Sequence, residues 1–208
     1  ETYVIVQDNF GNCNGQNPTG SLVRLCAKTE QNDHLEEMDF SVVGQNPNGP
    51  FFATDLTDQY NDDCVYFEVP TGSDIVATPV KDDNPLNGVT TYDLVLISKH
   101  IQGIEPLNSP YKLIAADADH NGIIDSTDID ELYKLIIGVY SELPNNTSWR
   151  FVDKSFTFPN QNNPFETAFP ESLVVQNIQA GAFADFTAIK VGDVNGTAIA
   201  NNLQQEPE

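Results

Sequence analysis

The spacing of apolar positions changes character along this chain. Up to about residue 80 they come in short runs, TYVIVQ, SLVRLCAKT, MDFSVVG, FFATDLT, CVYFEVP and DIVATPV, separated by clusters of Gly, Asn and Pro. Runs of this length at regular spacing predict short β-strands, and six of them predict a β-sandwich. Further on the step becomes three and four residues, in Leu94, Ile97, Ile101 and again in Ile129, Leu132, Ile136. That is the spacing of one helical face. Gly103 and Gly138 close the two helices where a C-terminal cap needs positive φ. The connecting segment 104–116 ends in YKLIAA, which fits a short strand or a helical turn. After the second helix Trp149, Phe151, Phe156 and Phe158 alternate as in half-buried strands, and Phe186, Ile189 and Val191 read as a final strand. The expected fold is mainly β with a small α part. A β-sandwich domain covers 1–80, a helix pair with a C-terminal β wrap covers 81–197, and a flexible tail covers 198–208.

Each helix follows a loop of unusual composition. Residues 117–128 read DADHNGIIDSTD. A twelve-residue calcium loop supplies oxygens from positions 1, 3, 5, 7, 9 and 12, with Gly at 6 making the sharp turn. Those positions hold Asp117, Asp119, Asn121, the carbonyl of Ile123, Asp125 and Asp128, with Gly122 at the turn and apolar Ile124 at position 8. A polar surface turn would share the Asp, Asn and Gly content, but not the match at every ligand position. Sliding the sequence by 35 residues lays 82–103 over 117–138 without a gap, placing Asp82 on Asp117, Asn84 on Asp119 and Asp93 on Asp128. The first loop offers Asp82, Asn84, the Gly88 carbonyl, Thr90 and Asp93, but its position 5 is Leu86, which has no side-chain oxygen. Two readings stand: a weaker site completed by water or Asp83, or a loop kept for its packing.

A calcium loop followed by one helix, then repeated, resembles the dockerin type I repeat pair over about residues 80–140. A full EF-hand has a helix before the loop and usually Glu at position 12. Here position 12 is Asp, and Pro79 leaves no room for a preceding helix. The resemblance implies docking onto a cohesin-like partner, or packing against a β domain of the same chain. Similar tails after paired dockerin-like repeats occur in large bacterial surface proteins, which implies one unit over roughly 82–197. The stretch VYFEVPTGSDI at 65–75 resembles the Val-Pro-x-Gly turn between the last two strands of carboxypeptidase-regulatory-like sandwich domains. Residues 192–196, GDVNG, resemble the opening of another calcium loop but lack the later ligands, and read as a plain turn.

Charge narrows the partners. With 31 acidic and 9 basic residues the net charge is −22, which repels nucleic acid and anionic membrane surfaces. No run approaches the eighteen or so apolar residues of a membrane span. Glu1 leads straight into YVIV, so the chain reads as a mature product or an excised piece. Calcium loops of ordinary affinity fill where the ion is millimolar, which predicts an extracellular or cell-surface location. One pair among Cys13, Cys26 and Cys64 can close a disulfide, and the sequence does not choose which.

Catalysis finds no support in the sequence. No nucleophile elbow, HExxH or phosphate loop is present, His120 lies at an outward loop position, and His100 lies on a helix. Arg150 beside Trp149 reads as a cation packed on an indole in the core. The expectation is a non-enzymatic, calcium-stabilised structural or adhesion module with a protein partner or self-association. The alternatives are a dockerin-like module binding a cohesin-like partner, or a filament subunit adding the YVIVQ strand to a neighbour's sheet. The helix faces 95–97 and 135–137 are apolar enough to predict permanent packing.

Overall fold

The computed structural model describes residues 20–35, 38–46, 49–56 and 64–200. The YVIVQ strand, Cys13 and most of the 198–208 tail lie outside the described residues. The fold is mainly β, with two four-stranded sheets and three short helices. Strands β1 (Gly20–Thr29), β2 (Asp39–Asn46), β3 (Gly49–Leu56), β4 (Cys64–Pro70) and β5 (Asp74–Val80) fall on the apolar runs of the first half. Helices α1 (Thr91–Ile101), α2 (Pro110–Ala116) and α3 (Ser126–Ile136) follow. The chain then returns to β structure in β6 (Trp149–Asp153), β7 (Leu173–Val175) and β8 (Ala182–Lys190).

The late strands enter the same sheets as the early ones. One sheet runs β4-β1-β8-β6 and the other β3-β2-β5-β7. Strand β8 lies parallel to β1, from Val23 opposite Ala182 to Thr29 opposite Ala188, and antiparallel to β6. Inward residues alternate as the pleat requires: Val23, Leu25 and Ala27 on β1, Phe40 and Val42 on β2, Ile75 and Ala77 on β5. These join Phe151, Phe186 and Ala188 in one cluster, and the rings of Phe40 and Phe186 meet across it with centroids 6.4 Å apart. Cys26 pairs with Cys64 in a disulfide that ties β1 to β4. The segment 71–73 does not close a hairpin, because β4 and β5 belong to different sheets; Gly72 N–H donates to Ile178 O there.

The outer face of β6 and β8 is covered as well. Val152 and Ile189 point into a second cluster with Ile97, Ile114, Leu132 and Leu135 of the helices. Strands buried on both faces lose the apolar–polar alternation, and residues 149–152 and 186–191 are buried without a break. Removing Ile97, Leu132 and Leu135 from water contributes on the order of 2 kcal/mol each, an upper bound. Phe156 and Phe158 lie beyond β6, where Phe158 packs edge-on against Tyr111 and Phe169. YKLIAA is helix α2, started by Ser109, whose Oγ accepts from Tyr111 N–H. Among the described residues no helix is long and apolar enough to cross a membrane.

Candidate metal centre

The loop before α3 is built around two buried carboxylates, Asp117 and Asp128, both wholly excluded from solvent. Asp117 ends α2, so that helix sets its position. Its Oδ1 accepts from the N–H groups of Asn121 and Gly122 at 3.0 and 3.2 Å, which curls the loop around it. Asp128 sits in the first turn of α3. Its Oδ1 accepts from Ala118 and Asp119 N–H at 2.7 and 3.3 Å, and its Oδ2 from Asp125 N–H at 2.9 Å. Asp125 caps α3 reciprocally, accepting from Thr127 N–H at 2.7 Å. His120 carries the loop through positive φ at +61°, and Gly122 at +78°.

Oxygens of Asp117, Asp119 and Asp128 converge to within 4.8 Å of one another. Asn121 joins them through Asp119, to which its Nδ2 donates at 2.8 Å, and its Oδ1 accepts from Ile123 N–H. Asp125 stays at the helix cap outside the carboxylate group, and the Ile123 side chain is exposed. Three carboxylates so close repel one another, and burial raises the Asp117 and Asp128 carboxyls, Asp128 to about 6. Their N–H partners pull the other way, and Arg150 also lowers Asp117. Such a group suits a hard cation with oxygen ligands.

Two residues of the β6 approach hold the loop in place, and neither carries a loop motif. Asn146 Nδ2 donates to Asp117 O at 2.8 Å, and Arg150 Nη1 lies 4.0 Å from Asp117 Oδ2. The Arg150 guanidinium stacks over Phe169, 5.1 Å from the ring centroid, and donates to Glu171 at 2.9 Å. Trp149 has a different cation, the Lys190 ammonium, at 5.9 Å. Adjacent residues of one strand point to opposite faces, which separates Arg150 from its neighbour's ring.

The first loop is placed differently. Asp82 Oδ1 accepts from Ser148 N–H at 2.7 Å, and Asn84 is exposed at φ +44°. Thr90 caps α1, and its N–H donates to Asp93 Oδ2 at 2.9 Å. The other Asp93 oxygen accepts from Val194 and Asn195 at 3.1 and 3.2 Å. The Gly88 carbonyl accepts from Thr197 Oγ1 at 3.2 Å. Lys190 donates to Pro85 O and Ser148 O at 2.9 and 3.3 Å, and burial lowers its ammonium to about 8. No protein-family model matches the chain, and comparison with curated proteins and with solved structures likewise gave no match.

Proposed function

We propose that this protein is a secreted, non-enzymatic module of a cell surface or extracellular matrix, structural or adhesive in role. A dockerin-like pair of loop–helix units and a β-sandwich would form its two parts, with calcium in the 117–128 loop locking the helices onto the sheets. The observation that carries this reading is the buried convergence of Asp117, Asp119 and Asp128. Those carboxylates lie where α2, α3 and β6 meet, so a cation there bears on helices and sheet together. An ion that binds only the folded state stabilises it by RT ln(1 + [Ca]/Kd), about 4 kcal/mol for millimolar calcium over a micromolar site.

A second reading, recognition of a cohesin-like protein partner, is favoured by one specific observation. Ile97 and Leu135 are buried, but Val95 and Ile137 are about half exposed, as are Tyr92 and Tyr133. The two helices therefore keep apolar surface uncovered, contrary to the permanent packing expected from sequence. Thermal unfolding of the double variant Asp117→Ala, Asp128→Ala tests the first reading. Calcium should raise its melting temperature much less than it raises that of the wild type. A wild-type melting curve indifferent to calcium would defeat the proposal.

A further inference from the structure

The N-termini of α1 and α3 are approached by the chain in the same way, but from unrelated parts of the sequence. At α3, Asp128 accepts from loop positions 2 and 3, Ala118 and Asp119, and from position 9, Asp125. At α1, Asp93 accepts from Val194, Asn195 and Thr90. Val194 and Asn195 thus stand where Ala118 and Asp119 stand, which puts Asp193 in the place of Asp117. The correspondence continues. Asp117 accepts from Asn121 and Gly122, and Asp193 from Gly196, Thr197 and Ala198 at 2.8, 3.1 and 2.6 Å. Position 4 has positive φ in both, His120 at +61° and Gly196 at +75°. Position 2 is buried in both, as Ala118 and Val194. A cation flanks each position 1: Arg150 beside Asp117, and Lys190 near enough to Asp193 to feel its charge.

We propose that residues 193–197 and 88–93 form a second calcium site, a loop assembled from two segments about 100 residues apart. Its ligands are Asp193, Asn195, Thr197, the Gly88 carbonyl, Thr90 and Asp93, at positions 1, 3, 5, 7, 9 and 12. The choice of calcium rests on the reading of the 117–128 loop. An independent sign of a missing partner is Asn195 Oδ1, which is buried and accepts no hydrogen bond. A buried carbonyl oxygen without a donor is costly, and a cation at position 3 supplies the positive charge it lacks. The two segments are held together closely: a Cβ on Gly88 would lie 2.5 Å from Ala198 N, and Asn87 exchanges hydrogen bonds with Ile199 at 2.8 and 2.9 Å. Asp82 and Asn84, the contiguous candidates, are displaced from the site, and Asp82 serves Ser148 instead.

Two carboxylates serve this site against the three that converge in residues 117–128, so its affinity is the weaker, by at least about tenfold. Calorimetric titration of the chelator-stripped full chain with calcium chloride should give two ions per chain. Asp193→Asn should remove the weaker ion and leave the tighter within about twofold, Asp117→Asn should remove the tighter, and Asp82→Asn should remove neither. Asn195→Ala, a milder change, should weaken the second ion at least about tenfold, and crystals grown in calcium should show an anomalous peak between Asp93 and Asp193. The proposal is overturned if Asp193→Asn and Asn195→Ala keep both ions at wild-type affinity, if only the Asp117 site binds, or if Asp82→Asn loses an ion. Failure of the 117–128 reading looks different: Asp117→Asn would leave the titration unchanged.

Discussion

Asp128 gives the sharpest test, because its carboxyl is wholly buried and rises to about 6 from an ordinary 3.8. The native state without a cation therefore holds this proton more tightly than the unfolded chain does. Between pH 3.8 and about 6 the unfolded carboxyl is ionised while the native one stays protonated, so stability falls as pH rises through that window. At 1.36 kcal/mol per pH unit the loss is about 3 kcal/mol, complete above pH 6 to 7. Asp117 shifts in the same direction for the same reason. Calcium reverses the sign, since it binds the ionised carboxylates and gains affinity over the same interval. Asp128→Asn removes the penalty but gives up an acceptor for Asp125 N–H, worth about 1 kcal/mol. In EDTA at pH 7.5 the variant should be about 2 kcal/mol more stable than wild type, and calcium should stabilise it much less than it stabilises wild type. Urea unfolding followed by Trp149 fluorescence, in EDTA and in millimolar calcium from pH 4.5 to 7.5, measures all of this. The reasoning fails if wild-type stability in EDTA is flat or rising over that range, or if calcium stabilises equally at both ends.

Other consequences are as direct. Gly88→Ala places a Cβ against the Ala198 backbone at a φ of +75°, and should cost about 2 to 4 kcal/mol in urea unfolding while weakening the second calcium ion. Reducing the Cys26–Cys64 disulfide opens a loop of 38 residues, and the chain-entropy estimate is a loss of about 4 kcal/mol, read as a lower urea midpoint in reductant.

Strands β2 and β5 were legible because each shows an outer and an inner face: Val43 and Val76 lie outside while Phe40, Val42, Ile75 and Ala77 lie inside. The helices were legible from their apolar step and closing glycines, and Gly103 and Gly138 do adopt positive φ, at +68° and +74°. Helix α2 resisted because Leu113, Ile114, Ala115 and Ala116 are all buried, which erases any period. Pairing at a distance was the larger gap. Nothing local in 182–190 announces a partner in β1, and nothing in the cysteine spacing selects Cys26 with Cys64. The loop pattern of 117–128 is contiguous, and three of its candidate ligands, Asp117, Asp119 and Asp128, do converge. The GDVNG turn at 192–196 read as a plain turn because the residue that accepts from it, Asp93, comes a hundred positions earlier.

The strand made last among those described is an inner one. Strand β8 fills the place between β1 and β6, so β1 has an unpaired flank until residues 182–188 exist to meet it. During synthesis, roughly 150 residues must leave the ribosome after β1 before its sheet can close, at ≈ 5–20 residues per second. Through that interval the nascent chain exposes a β edge and an uncovered apolar face, the features that invite aggregation. Closure of this sheet is consequently deferred until β8 itself has been made, long after the strand it completes.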